Sequence, residues 1–290
     1  MNRTVKEIIK KLVGLIPSKL WISYRFKVRT GEKMDWKNPK TFNQKLQWLK
    51  LYNHRPEYTT MVDKYEVKKY VAERIGEEYI IPTLGVWDRF EDIDFDALPD
   101  QFVLKCTHDS GGLIIVRDKS KLDKEAARKM FRVALNRNHY SVNREWPYKN
   151  VKPRIIAEQY MKDEQAEDLP VYKIFCFGGE PYIIQAIQND KQPNESIDYF
   201  DIGWDKLPLR QNFPNSEHPL PAPKTLDKML QYAGVMSTQH PFLRVDFYEV
   251  NGKMYFSEFT FFSDSGMQKF DPPEWDYILG DRIKLPKKQK

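Results

Sequence analysis

The stretch FLRVDFYEVNGKMYFSEFTFFSDSG, Phe242 to Gly266, reads as two strands folded back at Asn251-Gly252. Asn-Gly tolerates positive φ at both positions of a two-residue loop and is the strongest short-range hairpin signal. Arg244 and Asp246 are two residues apart on the first strand, so they share a face; Glu258 and Thr260 share one on the second. The turn lies between Asp246 and Glu258, so the two carboxylates converge across the strands. Like charges at one spot repel unless a cation separates them. Magnesium suits such a pair, since it takes one or two carboxylates together with phosphate oxygens. An Arg–Asp–Glu salt-bridge cluster on a sheet face accounts for the same pattern.

A second stretch, FVLKCTHDSGG (Phe102 to Gly112), begins as a strand, places Lys105 where a buried strand would not carry a cation, and ends in Ser110-Gly111-Gly112. A point cation beside a side-chain-poor loop is a phosphate-binding arrangement, because glycine lets backbone N–H groups approach closely. LIIVRD returns after the glycines as a hairpin partner, and VYKIFCFGGEPYIIQAIQ forms another hairpin around Gly178-Gly179. YIIPTLGVW and RIIAEQYM read as further strands. KLDKEAARKMFRVALNRN, with apolar Leu122, Ala126, Met130 and Leu135, and KTLDKMLQYAGVMS read as helices. Residues 189–223 read as a polar, proline-rich loop. The segment from Asn38 to Gly76 reads as two helices, one starting at Thr41 or Asn43 and one stopping at Gly76. The sum is an α+β chain rich in antiparallel hairpins.

Composition limits the function classes. The chain has 290 residues and a formal net charge of +6. Residues 1–50 hold 13 Lys/Arg and 3 Asp/Glu, leaving 34 basic and 38 acidic residues in the remaining 240. The basic excess therefore belongs to the N-terminal segment, which argues against a nucleic-acid-binding body. Within it, Val5, Ile8, Ile9, Leu12, Val13 and Ile16 lie at helical spacing opposite Lys6, Lys10 and Lys11, with Pro17 as a stop. Such a helix either docks on the core or lies on an anionic membrane surface through residues 1–17. No apolar run is long enough to span a bilayer. Cys106 and Cys176 lie in strand-like runs without metal-ligand spacing, which points to a reduced, cytoplasmic setting; the basic N-terminal helix adds the expectation of peripheral contact at the inner face of the membrane.

Taken in order, Asp63-Lys64 at a helix start, Lys105 before the Ser-Gly-Gly loop, Glu158 at a strand end and the Asp246–Glu258 hairpin resemble the ATP-grasp superfamily. TFNQKLQWLK, DKYEVKKYV, REWPYKNVKPRIIAEQYM and YKIFCFGGEP resemble its TupA-like branch, a group associated with teichuronopeptide and capsular polysaccharide biosynthesis and often labelled glycosyltransferase. The resemblance runs from about Asn38 to Gly266. It implies an ATP-grasp fold, in which two α+β subdomains with antiparallel sheets clasp ATP. The divisions expected are a basic helical segment (1–55), a preceding region (56–100), a lysine and Gly-loop subdomain (101–161) and a metal-binding subdomain (162–290).

The resemblance also assigns roles. Lys64 and Lys105 would contact the ATP phosphates, with Ser110, Gly111 and Gly112 covering them. Glu158 would accept from the adenine amino group, with the backbone of Tyr160 and Met161 at the adenine edge and Asp163 or Glu164 at the ribose. Lys173 and Arg244 would neutralise the transferred phosphoryl group and the acyl phosphate. Asp246 and Glu258 would hold Mg2+. Thr260 stands where many ATP-grasp enzymes place asparagine, a trait shared within the branch, and ligates weakly. The implied reaction is ATP-dependent carboxylate–amine ligation on a polysaccharide or lipid-linked sugar, with an amine or amino acid as partner. A glycosyltransferase, a sugar kinase and a non-catalytic scaffold are the other classes. Trp146, Tyr148 and Trp204 read either as core rings or as a sugar-stacking face.

Overall fold

The computed structural model of the chain describes residues 13–109, 111–164 and 169–288. The expected helix ending at Pro17 and Ser110 of the glycine loop therefore lie wholly or largely outside the described residues. Helix α1 spans Ser18–Thr30, α2 Phe42–Tyr52, α3 Glu57–Val62 and α4 Glu66–Ile75. The segment read as two helices thus holds three, because Asn53 to Pro56 interrupts the chain between α2 and α3. Thr41 is the N-cap of α2: its side chain accepts from the Gln44 N–H.

Strands β1 (Thr83–Trp87), β2 (Phe102–Cys106), β3 (Leu113–Val116) and β4 (Ile155–Gln159) form an antiparallel sheet in the order β1-β4-β2-β3. Phe102, Leu104 and Cys106 alternate inward along β2 against helix α5 (Lys124–Leu135). The face that α5 buries is Ala127, Phe131 and Ala134, one residue on from the expected Ala126, which is exposed. Asp123 caps α5 by accepting from the Ala126 N–H. A short helix, α6, spans Tyr140–Asn143.

The second sheet runs β7-β6-β5-β8-β9, again antiparallel, from β5 (Val171–Phe177), β6 (Glu180–Gln188), β7 (Ser196–Asp201), β8 (Leu243–Val250) and β9 (Lys253–Thr260). Strand β7 lies inside the stretch read as loop; the surrounding Pro and Asn residues masked a short Ile-Asp-Tyr-Phe run that pairs with β6. Helix α7 (Leu226–Ser237) packs on this sheet, and α8 (Glu274–Arg282) packs against α2. The larger core lies here, with Phe42, Leu46, Phe175, Phe242 and Phe247 fully enclosed. Among the described residues no helix is long and apolar enough to cross a membrane.

Candidate active site

The hairpin of β8 and β9 places Asp246 directly opposite Glu258 and Arg244 opposite Thr260, as its turn and alternation require. Arg244 sits between the carboxylates. Its Nε and Nη2 donate to Asp246 at 2.8 and 2.7 Å, and Nη2 is 3.7 Å from Glu258. Nη1 donates to the Ser263 hydroxyl at 3.2 Å. Lys173, cross-strand from Asp246 on β5, lies 4.0 Å from it. Burial pushes the Asp246 carboxyl up despite Arg244. Glu258 is only half-buried at the cleft; desolvation opposes its charge, but Lys64, Arg244 and Lys173 hold it down to about 2. Burial and the neighbouring Arg244 lower the Lys173 pKa.

The remaining cations come from helix α4 with the residue before it and from the first sheet. Lys64 precedes α4, donates its Nζ to the Asp109 carbonyl at 2.7 Å and lies 3.8 Å from Glu258, joining the two halves of the site. Asp63, beside it, accepts from the Tyr65 and Glu66 N–H groups and from Arg154. Lys105 on β2 lies 2.6 Å from Glu158 on β4, and Lys68 lies 2.7 Å from the other oxygen of that carboxylate. Burial opposes charge on Glu158, yet Lys105 and Lys68 hold it down to about 2; Glu158 in turn raises Lys105 above the ordinary lysine value against its own burial.

Lys68 was not among the expected site residues. Its signal was its position four residues after Lys64, one helical turn on. The clamp also changes the reading of Glu158: both oxygens are engaged by lysines, so it orients two cations before it can meet a base.

The glycine loop is held from below. Asp109 Oδ1 accepts from the Gly111 and Gly112 N–H groups at 3.3 and 2.9 Å, so covering a phosphate requires exchanging that carboxylate for phosphate oxygens. Gly112 is also a packing necessity, since a Cβ there would lie 2.6 Å from Cys106 Sγ. Tyr160 accepts from Arg117 Nε through its hydroxyl, leaving its backbone at the strand end. Met161 follows, half-buried, and Asp163 accepts from the Asn251 N–H while the Glu164 N–H donates to the Asn251 side chain. The two acidic residues thus dock on the β8–β9 turn. Trp146, which stacks on His54, Trp204, which stacks on Phe200, and Tyr148 all pack against the larger core, and Tyr148 also lies near Glu145, Glu258 and Arg244.

The site collects five cations (Lys64, Lys68, Lys105, Lys173, Arg244) and three carboxylates (Glu158, Asp246, Glu258). A family model described as TupA-like ATPgrasp matches residues 44–284. The chain belongs to this family. The match includes every residue from Lys64 to Thr260 named above. Among solved structures, this TupA-like ATP-grasp chain is similar to a D-alanine–D-alanine ligase from Bacillus anthracis, at 18% identity and a TM-score of 0.45, covering 84% of this chain and 69% of that one. It is also similar to an L-amino acid ligase from Bacillus licheniformis, at 16% identity and a TM-score of 0.49, covering 83% of this chain and 55% of that one. No curated protein matches.

Proposed function

We propose that this TupA-like ATP-grasp protein is an ATP-dependent carboxylate–amine ligase working in the assembly of a bacterial surface polysaccharide. The observation that carries the reading is the excess of two positive charges, drawn from both sheets, around a pair of carboxylates in register on β8 and β9. Such a site suits a polyphosphate and its counterion, because positioning and charge neutralisation are most of what phosphoryl transfer needs from a protein. Lys64, Lys105 and Lys68 hold the phosphates, Glu158 fixes the last two of these, and the backbone of Tyr160 and Met161 borders the adenine. Asp163 or Glu164 faces the ribose.

The donor set fits Mg2+ through Glu258, which opens to the cleft, with Asp246 as second ligand once Arg244 yields an oxygen and Thr260 as a weak third. When bound, the ion neutralises charge on the phosphate oxygens. A substrate carboxylate oxygen attacks the γ-phosphorus and ADP leaves; an amine nitrogen then attacks the acyl carbon, inorganic phosphate leaves, and the amine gives up its proton. Lys173 and Arg244 neutralise the phosphoryl group in both steps. A uronic acid or an amino acid supplies the carboxylate. The basic N-terminal segment holds the protein at an anionic membrane face, where lipid-linked sugars are presented.

Thermal stabilisation by Mg-ATP tests the nucleotide site. Wild-type protein should be stabilised and Lys105→Ala should lose most of that shift; an undiminished shift in the variant removes Lys105 from the site.

A further inference from the structure

Two stretches singled out in the sequence carry polar residues that the nucleotide site does not use. In TFNQKLQWLK, Asn43, Gln47 and Lys50 recur at helical spacing on α2, and all three are buried. Asn143 and Glu145 stand at the start of the REWPYK stretch. Both groups converge on the turn Ser263–Gly266, which follows β9. Asn43 grips the chain just beyond it, bonding the N–H and the carbonyl of Gln268. The other four meet at Ser265. Its carbonyl accepts from Gln47 at 2.8 Å and from Lys50 at 2.7 Å. Its hydroxyl accepts from Asn143 at 2.7 Å and donates to Glu145. Its N–H donates to the Phe262 carbonyl, so every polar group of this one residue is engaged.

Such a turn is costly in free energy. Asp264 (φ 44, ψ 36) and Ser265 (φ 55, ψ 25) are consecutive non-glycine residues in the left-handed region, a conformation that persists only where surrounding contacts enforce it. Holding it also takes a lysine and a glutamate out of water, since Lys50 and Glu145 are both buried. Glycine would close a turn without either cost. What the locked turn adds is a fixed place for the residue that opens it. Ser263 is buried and accepts from Arg244 Nη1 at 3.2 Å. The rest of the Arg244 fork faces two carboxylates, Asp246 at 2.7 and 2.8 Å and Glu258 at 3.7 Å. A guanidinium between two charged acceptors can tilt toward either. Ser263 is its neutral third partner, and three directions fix a plane where two do not.

We propose that Ser263 is a positioning residue for phosphoryl transfer, holding the plane of the Arg244 guanidinium, and that Gln47, Lys50, Asn143 and Glu145 keep it there by locking Ser265. The two stretches then serve the reaction through Arg244 alone. The proposal rests on the ligase reading for the step that Arg244 serves, but its first test reads Arg244 itself and needs no turnover.

Nitrogen-15 NMR of the arginine side chains, with Arg244→Lys to assign the signal, reads how firmly the fork is held. The Arg244 Nη1 protons should exchange with water at least about tenfold faster in Ser263→Ala than in wild type, and at close to the wild-type rate in Ser263→Thr, which keeps the hydroxyl. Lys50→Met should speed the same exchange by about threefold, although Lys50 bonds Gln47 and Ser265 rather than Arg244. Thermal melts check that each variant folds. The kinetic arm uses Mg-ATP, D-glucuronate and hydroxylamine. There kcat for ADP release should fall at least about tenfold in Ser263→Ala while KM for ATP stays within about twofold of wild type, a split that a general loss of structure would not give. Unchanged Arg244 exchange in Ser263→Ala, or a raised KM with kcat intact, would overturn the assignment. Absence of ADP release from wild type would count against the ligase reading with this carboxylate, and the exchange measurement would still decide the proposal.

Discussion

Lys105 Nζ lies 2.6 Å from Glu158 Oε2, across the β2–β4 pair, in a site where Lys68 holds the other carboxylate oxygen. One carboxylate therefore orders two cations carried by different elements, β2 and α4. Glu158→Gln should lower stability by about 3 kcal/mol, because two largely buried ammonium groups lose their counter-charge. The pH dependence follows the same sign. A carboxyl depressed to about 2 contributes stability that is fully present above the unfolded value near pH 4.3 and is lost as pH falls toward 2. Urea melts between pH 5 and 2 should show that acid-labile component in wild type and not in the variant.

Asp246 and Glu258 should separate under mutation although they face one another. Asp246 is the bidentate partner of buried Arg244, so Asp246→Asn should cost about 3 kcal/mol of stability. Glu258 is half-exposed at the cleft, and Glu258→Gln should change stability by less than about 1 kcal/mol while removing the magnesium dependence of nucleotide binding. Denaturant melts and magnesium titration of ATP binding check the two arms; equal destabilisation would refute the split.

Lys50 is a buried lysine on α2 whose pKa burial lowers to about 8, with Glu145 only partly offsetting this. Its unfolded value is about 10.4, so the unfolded chain binds more protons between these limits and stability attributable to Lys50 rises with pH from about 8 to 10. Lys50→Met should abolish that rise. Matched melts of the two proteins across the window read the difference directly.

Gly266 ends the left-handed run at φ 58, and a Cβ there would lie 2.6 Å from Gln47 Nε2 and 2.8 Å from Leu46 Cβ. Gly266→Ala should cost about 2 kcal/mol through backbone strain and overpacking. A thermal melt with unchanged midpoint would show that the loop yields freely.

Helix α1 exposes Leu20, Tyr24 and Val28 at 60–62%, one turn apart on one face, within the segment that carries the basic excess. Cosedimentation with anionic vesicles should be salt-sensitive and weakened by Leu20→Glu with Tyr24→Glu. Each cation near such a surface contributes roughly 1 kcal/mol, which salt screens. Protein that stays in the supernatant with both anionic and neutral vesicles would contradict the membrane reading.

The hairpins were legible because Asn251-Gly252 and Gly178-Gly179 mark their turns and alternation sets which side chains converge; Asp246 and Glu258 followed from that arithmetic. Strand β7 was not, since its pairing with β6 is a long-range contact in a stretch whose local composition favours turns. The engagement of Glu158 by two lysines was equally hidden. Strand spacing gives the face on which a carboxylate lies, but which cations reach it depends on how α4 crosses the sheet.

The most direct test of the central claim is product analysis of the purified protein with Mg-ATP, candidate uronic acids and amines, and hydroxylamine as a trap. The ligase account predicts ADP and inorganic phosphate in equal amounts, with an amide or hydroxamate formed on the carboxylate and all three lost in Lys105→Ala. ADP accompanied by a phosphorylated sugar, or sugar transfer with no ATP consumed, would contradict it.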